Sequence, residues 1–593
     1  MCGISGEIRF DNQLPDAAAV ARMGDSVAPR GPDGTGLLQH DRVVLGHRRL
    51  KIIDLSEAAS QPMVDPELGL SLVYNGAIYN YPDLRHELQA KGYRFFSTGD
   101  TEVVLKAYHA WGPSFVERLN GMFALAIHER DSGRLFLARD RVGIKPLYFT
   151  EEAGKFLRFA STLPALLSAG GVDSTIDPVA LHYYMTFHSV VPPPRTILNG
   201  VHKLPPATTL VIEPDGRRSQ HTFWSVAFGT SPEDARRSEP EWQEACLETL
   251  RRSVKRRLIA DVPVGVLLSG GLDSSLVVGL LAENGAAPIE TFSIGFESVG
   301  TEEGDEFRYS DIVAERFGTK HHKLFADSSK ALPALQRCIH GMSEPMVSHD
   351  NVGFFLLSQE VAKHVKVVQS GQGADEIFAG YHWYPPMLGA TPDTAVATYA
   401  SAFFDRDHAE FQEAVAAAYH GDDASLAFVT EHFARPGAEA PIDKALRLDA
   451  LVMLVDDPVK RVDNNTMAHG LEARVPFLDH EVVEFAATVP PGLKVKDDGK
   501  YLLKEAARQV IPAGVIDRPK GYFPVPALKY LRGEFLDMAH DALSSQRARD
   551  RGLFNQTYVD TLLADPESHI TPLRGSKLWQ IALLNLWLDS QGI

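Results

Sequence analysis

The chain changes rhythm near residue 240, and that change constrains its fold more than any single motif. Before it, the apolar or alternating runs GISGEIRF, VVLGHRRLKII, LGLSLVYNGAIYN, GMFALAIHE, RLFLARD and LYFTEE are broken by Gly, Asp and Asn. Such runs predict short strands joined by tight turns. The helical patterns YPDLRHELQAKG and DTEVVLKAYHAWG lie between them, and ATTLVIEPDGRRSQHTFW predicts a closing hairpin around PDG. This mixture predicts an α+β layered domain with packed antiparallel sheets over residues 2–224. Residues 225–240, polar and turn-rich, read as a linker. Beyond it a long charged helix (EWQEACLETLRRSVKRRLIA) leads into strands alternating with helices: VPVGVLLS, SSLVVGLLAENG, IETFSIGF, YSDIVAERFG, FFLLSQEVAKHV and KVVQSGQG. That alternation predicts a parallel, doubly wound sheet over 241–593, with ligands at the carboxyl ends of its strands. From residue 382 onward the pattern is mostly helical and is expected to pack around that sheet.

At 593 residues the chain exceeds one ordinary core, which agrees with a division into two or more domains. A net charge of −18 speaks against a primary nucleic-acid or anionic-membrane surface. No uncharged apolar run approaches a membrane span, and MCGISGEIRFD lacks the apolar stretch of a signal peptide. Three cysteines (Cys2, Cys246 and Cys338) show neither a disulfide framework nor metal-ligand spacing. A reducing cytoplasm is the expectation, with Cys246 and Cys338 as small core residues.

Ser269-Gly270-Gly271-Leu272-Asp273-Ser274-Ser275 sits between an apolar strand and an apolar helix. Glycines let backbone pass close to phosphates, and the helix N-terminus offers free N–H groups and a positive dipole end. Ser269, Ser274 and Ser275 add hydroxyl donors, and Asp273 is a candidate magnesium ligand. The absence of a Lys-Ser/Thr ending separates the string from the γ-phosphate loop of kinases and GTPases. A Gly-rich turn with a serine cap is the plain structural reading of any shorter version. The whole string resembles the signature of the PP-loop ATP pyrophosphatases, which cleave between the α- and β-phosphates. A second loop, Ser370-Gly371-Gln372-Gly373-Ala374-Asp375-Glu376, follows the strand VKVVQ. The resemblance implies ATP and Mg2+ as cofactors, with Ser370 and Gly371 near the adenosine and Leu268 and Ile294 offering backbone to the base. It also implies Asp375 paired with Asp273 around magnesium.

Asn465 to Asp479 (NTMAHGLEARVPFLD) resembles the asparagine synthetase family, and GKYLLKEAARQVIP aligns with the segment carrying that family's catalytic lysine, which falls on Lys500. A charged donor there suits an adenylate and the tetrahedral species after it. Arg518 and Lys520 in DRPKGYF are candidate phosphate contacts or ordinary surface cations.

At the other end, Cys2 becomes the first residue once Met1 is removed, placing an α-amine of pKa about 8 beside a thiol nucleophile. Four further strings (RGPDG, HRRLKIID, YNGAIYN and TGDTE) resemble the class II, N-terminal-nucleophile glutamine amidotransferases. That resemblance implies an αββα sandwich in which Cys2 attacks the glutamine side-chain amide. Asn75 and the Gly76 N–H would form the oxyanion hole, Arg49 would bind the α-carboxylate and Asp100 the α-ammonium. Asn75-Gly76 taken alone reads as a hairpin turn.

Two positions depart from the family pattern: Ala77 stands where NGEIYN has glutamate, and Gln372 stands where the second ATP loop has an acidic residue. The latter loop with GYHWYPP resembles the branch that amidates N-acetylglutaminylglutamine, an osmoprotectant precursor. The expected activity is therefore a glutamine-dependent, AMP-forming amidotransferase acting on that dipeptide, with aspartate as the alternative acceptor. A non-catalytic regulatory homologue is a further alternative, against which stand Cys2, Asn75, Asp273, Asp375 and Lys500. A β-lactam synthetase relative would lack the Cys2 nucleophile, and a tRNA-modifying enzyme would want a basic face. The partners expected are small-molecule substrates, a homodimer being compatible with them.

Overall fold

The computed structural model describes residues 2–285, 288–296, 305–326, 328–518 and 531–593. Twelve strands up to Thr222 form two six-stranded antiparallel sheets. One contains β1 (Gly3–Arg9), β2 (Gly34–His40), β3 (Val43–Arg49), β8 (Tyr148–Glu152), β9 (Phe156–Ala160) and β10 (His202–Lys203), in the order β10-β8-β9-β1-β3-β2. The other contains β4 (Met63–Asp65), β5 (Leu70–Ile78), β6 (Gly121–Glu129), β7 (Leu135–Arg139), β11 (Thr208–Ile212) and β12 (Arg218–Thr222), in the order β12-β11-β7-β6-β5-β4. The expected hairpin is the antiparallel β11–β12 pair.

The sheets face each other through one apolar layer. Ile4, Ile8, Val43, Leu45 and Phe159 meet Val73, Ala124, Ala126, Leu137 and Leu210. Helices Tyr81–Ala90 and Asp100–Trp111 cover the outside of the second sheet through Leu84, Leu88 and Val104. Helices Ala17–Ser26 and Leu163–Ala169 cover the first through Val20, Met23 and Leu166. The result is the αββα sandwich. Because β6 is covered on both faces, GMFALAIHE is buried at every position between its ends. The edge strand β2 alternates half-buried with exposed residues, and such weak patterning hid it in the sequence.

The next long helix is Glu239–Arg256, closed at its start by a capping box between Ser238 and Glu241. Five strands then form a wholly parallel sheet: β13 (Val264–Leu267), β14 (Glu290–Phe296), β15 (Lys320–Ala326), β16 (Val367–Gln369) and β17 (Glu472–Arg474). Their order is β15-β14-β13-β16-β17. Chain order reverses at β13, so the crevice between the carboxyl ends of β13 and β16 is the topological switch point. Val266, Phe292 and Val368 of the sheet share a core with helices Leu272–Glu283, Phe307–Phe317 and Asn351–Val361. The carboxyl-terminal third is mostly helical as expected, but GLEARVPF departs from that expectation by adding β17 to the sheet edge.

The two halves are pinned together by buried charges. Asp463 accepts hydrogen bonds from Arg30 at 2.8 Å and Lys145 at 3.2 Å, and Lys203 reaches Glu344 at 3.0 Å and Asp456 at 2.7 Å.

Candidate active sites

A cavity of about 770 Å³ opens at the switch point. Leu268, Ser269, Gly271, Asp273, Ser274, Ile294, Ser370, Gly371, Gln372, Asp375, Lys500 and Arg518 are among its lining residues. Gly270 is not; it supplies the turn instead, with φ 73°, and a Cβ there would fall 2.6 Å from the Ser310 nitrogen. The Ser269 hydroxyl accepts from the Gly271 N–H at 3.2 Å and lies 3.1 Å from the Ser274 hydroxyl. Serines in this loop thus shape the cavity as well as line it. Gly371 lets the second loop press on the first, since a Cβ there would lie 2.9 Å from the Ser274 nitrogen.

Lys500 enters from the start of helix Tyr501–Ala507. Four successive residues, Asp497 to Lys500, have positive φ, and this left-handed run turns the lysine inward. Its ammonium sits 2.7 Å from Asp273 and 2.9 Å from Asp375. Burial opposes the charge, but the two carboxylates outweigh it and raise the lysine's pKa. Gly380 makes room for the cluster, as a Cβ there would lie 2.0 Å from an Asp375 oxygen. Two carboxylates from separate loops converging on one cation form an oxygen donor set suited to Mg2+. Arg518 stacks 4.4 Å over Tyr309 and donates to Glu306 at 3.0 Å, so it is a cavity residue. Lys520 lies outside the described residues.

A second, much smaller cavity lies in the sandwich and is lined by Cys2, Arg49, Gly76, Ala77, Asp100 and Glu472, among others. Asn75 and Gly76 lie within β5, not in a hairpin turn, paired with Ala124 and Phe123 of β6. A Cβ at Gly76 would fall 2.2 Å from the Met122 carbonyl, so close strand packing demands this glycine. The Asn75 side-chain carbonyl accepts the Cys2 N–H at 2.9 Å, which leaves its amide N–H group buried with no hydrogen-bond partner. An orphaned donor beside a nucleophile is what a developing oxyanion requires. Arg49 donates to the carbonyls of Ser56, at 2.7 Å, and Asp54. Asp100 accepts from the Tyr74 hydroxyl at 2.9 Å and the Ile78 N–H at 3.1 Å, while burial raises its pKa. Burial likewise pushes the Cys2 thiol up, against the pull of the amino-terminal charge.

Glu472 is the residue that the motif reading missed. It belongs to the second domain's β17, yet it lines the first domain's cavity. Fully buried, it accepts from Arg474 at 2.5 Å. Burial alone would raise its pKa, but the amino-terminal charge and Arg474 hold it at about 2. On the same strand the Arg474 carbonyl accepts the N–H of Ser370, which lines the large cavity. One three-residue strand therefore touches both sites.

A cysteine at the mouth of an αββα sandwich, joined to a Gly-rich loop at a parallel-sheet switch point, defines a two-site amidotransferase with a nucleotide-dependent half. The comparisons agree: residues 1–224 match the glutamine amidotransferase domain and residues 245–589 match asparagine synthase. The chain belongs to the asparagine synthase family, and it is an enzyme that forms C–N bonds. Asparagine synthetase [glutamine-hydrolyzing] 1 of Bacillus subtilis is 30% identical over 99% of this chain and 96% of its own length. Its paralogue 3 is 31% identical over 88% and 87%. Amidase chyE of Penicillium rubens is 29% identical over 82% and 81%.

Proposed function

We propose that the chain hydrolyses glutamine at Cys2 and uses the ammonia to amidate a carboxylate that ATP has activated as an acyl adenylate. The observation that carries this reading is β17, which lends Glu472 to one cavity and an N–H acceptor to the loop of the other. Freed of Met1, the Cys2 α-amine takes the thiol proton, and the thiolate attacks the glutamine amide carbon. Asn75 and the Gly76 N–H hold the oxyanion, ammonia leaves, and water releases glutamate from the thioester. Arg49 and Asp100 fit the two charged ends of the amino acid.

In the large cavity an acceptor carboxylate oxygen attacks the α-phosphorus, pyrophosphate leaves, and ammonia then displaces AMP to give the amide. Lys500 stabilises negative charge on the phosphates and on the tetrahedral species. Mg2+, when bound, would be held by Asp273 and Asp375 and would offset phosphate charge. Ammonia in neutral water is mostly ammonium, which has no lone pair for attack, and this favours transfer inside the chain.

The acceptor we favour is N-acetylglutaminylglutamine. The support is Gln372, which lines the cavity and can only hydrogen-bond where an acidic residue would accept a proton. Aspartate is the second reading, favoured by the names of the Bacillus subtilis relatives. An acceptor screen with glutamine and ATP-Mg, following pyrophosphate release and product mass, decides between them. Amidation of the dipeptide with aspartate inert supports the first; amidation of aspartate alone replaces it with the second.

A further inference from the structure

At the amino-terminal edge of the parallel sheet, opposite the nucleotide cavity, three side chains from three segments converge. Glu290 opens β14, His322 lies on the neighbouring β15, and His364 sits in the turn between helix Asn351–Val361 and β16. The register pairs Glu290 with Lys320 and Phe292 with His322. Glu290 and His322 are therefore diagonal neighbours on one face, close enough to interact. One ligand atom from each of the three residues lies within 4.8 Å of the others.

The Glu290 Oε2 and His322 Nε2 are 3.3 Å apart, yet both are shut off from solvent and neither has a hydrogen-bond partner. A carboxylate and an imidazole this close normally share a proton along the line between them. These two atoms lie at ion-pair distance without hydrogen-bond alignment, a geometry that also lets both lone pairs address a common third point. Two zinc–ligand bonds of about 2.0–2.1 Å at a tetrahedral angle place the donor atoms about 3.3–3.4 Å apart. The 3.3 Å between the Glu290 and His322 atoms matches that edge, and the third donor lies within 4.8 Å of both. Around the cluster, Lys320 engages the other Glu290 oxygen at 3.1 Å, and Phe292 stacks on His322 with ring centres 4.8 Å apart. These contacts fix the orientation of both ligands, as second-layer groups do at metal centres. His364 is exposed and its ring centre lies 4.6 Å from that of His322, which leaves the remaining coordination position open to water.

We propose that Glu290, His322 and His364 form a divalent transition-metal site of the His2Glu type, suited to Zn2+, that ties β14, β15 and the approach to β16. Its place at the strands' amino ends separates it from the ATP-binding end, so its effect is on the stability of the sheet.

The test uses full-length Cys2→Ala protein, which removes the thiol in the small cavity as a competing ligand. Equilibrium dialysis against Zn2+ should give one saturable equivalent per chain, and Co2+ should give the intense visible absorption of a four-coordinate nitrogen–oxygen site. Both should be lost in Glu290→Gln and in His322→Gln and weakened at least tenfold in His364→Ala. Zn2+ should also raise the Tm of the parent and leave that of Glu290→Gln unchanged. Absence of a saturable equivalent would overturn the proposal. So would an equivalent retained in both Glu290→Gln and His322→Gln, or a thiolate charge-transfer band pointing to a remaining cysteine. If Glu290→Gln or His322→Gln fails to fold, the exposed His364→Ala variant still decides; metal uptake unchanged there and lost in His408→Ala would assign it to the His182, His408 and Asp423 cluster instead and overturn the proposal.

Discussion

Lys500 shows how much a single side chain does here. Its ammonium is the counter-charge for two half-buried carboxylates as well as a donor facing the large cavity. Lys500→Met should therefore lower amide synthesis by about 10²-fold or more, the scale of losing a preorganised donor. Glutamine hydrolysis, measured as glutamate release without acceptor, should persist; its loss would mean that the lysine holds the whole chain together. His47 makes a second residue-scale case. Burial holds its imidazole at about 3, well below the usual 6.5, while it contacts the Tyr74 carbonyl on the strand carrying Asn75. The folded value is the depressed one, so the unfolded chain takes up the proton first as pH falls. The neutral histidine's contribution is complete above about 6.5 and is lost progressively from there toward pH 3. His47 should show no titration between pH 8 and 5 by NMR, and a midpoint near 6.5 would contradict its buried, neutral state. The residues to which we assign the chemistry were the legible ones. Cys2, Asp273, Asp375 and Lys500 stand in long strings whose residue types have few other uses together. Asn75-Gly76 was ambiguous because the glycine's reason is the Met122 carbonyl of β6, which a Cβ would meet at 2.2 Å, and no local pattern encodes that neighbour.

Among the elements, β17 carries the most consequence for its length. It is three residues long, with a charged residue at each end, so no alternation marks it as a strand. Its partner β16 lies about a hundred positions earlier in the chain, and pairing at that separation leaves no local signal. The same holds for β2, whose exposed edge position removes the apolar alternation that revealed β5 and β6. Buried strands are legible because both faces are covered; edge strands lack that signal, and the exposed β12 was legible only through the PDG turn that joins it to β11. Glu472→Gln removes one charge of the buried pair with Arg474 while keeping the side chain's shape. We expect glutaminase kcat/KM to fall about tenfold, the worth of one charge-assisted hydrogen bond, with ammonia-driven synthesis unchanged. Unaltered glutaminase kinetics would remove Glu472 from the site.

Across the whole molecule, the two halves were recognisable from the sequence by rhythm, yet the contacts joining them were not. RGPDG and HRRLKIID read as parts of the glutaminase half, but several of their residues serve the interface. Arg30 meets Asp463, Asp33 meets Lys366 at 2.7 Å, and the Asp54 N–H donates to Asp261 at 2.7 Å. Of these three contacts Asp463 is the most consequential, because it answers two buried cations, and their charges hold its carboxyl below the usual range despite burial. Asp463→Asn should cost about 3–5 kcal/mol in denaturant unfolding, the toll of leaving buried charge uncompensated. A change below about 1 kcal/mol would show that water reaches the interface.

The measurement that bears most directly on the two-site account is amide formation by Cys2→Ala protein, with ATP-Mg and an acceptor the parent amidates. Nitrogen is offered either as glutamine or as ammonium. The account predicts that glutamine-driven synthesis is abolished while ammonium-driven synthesis proceeds with one AMP and one pyrophosphate per amide. Persistence of glutamine-driven synthesis, or loss of both routes in a protein that remains folded, would contradict it.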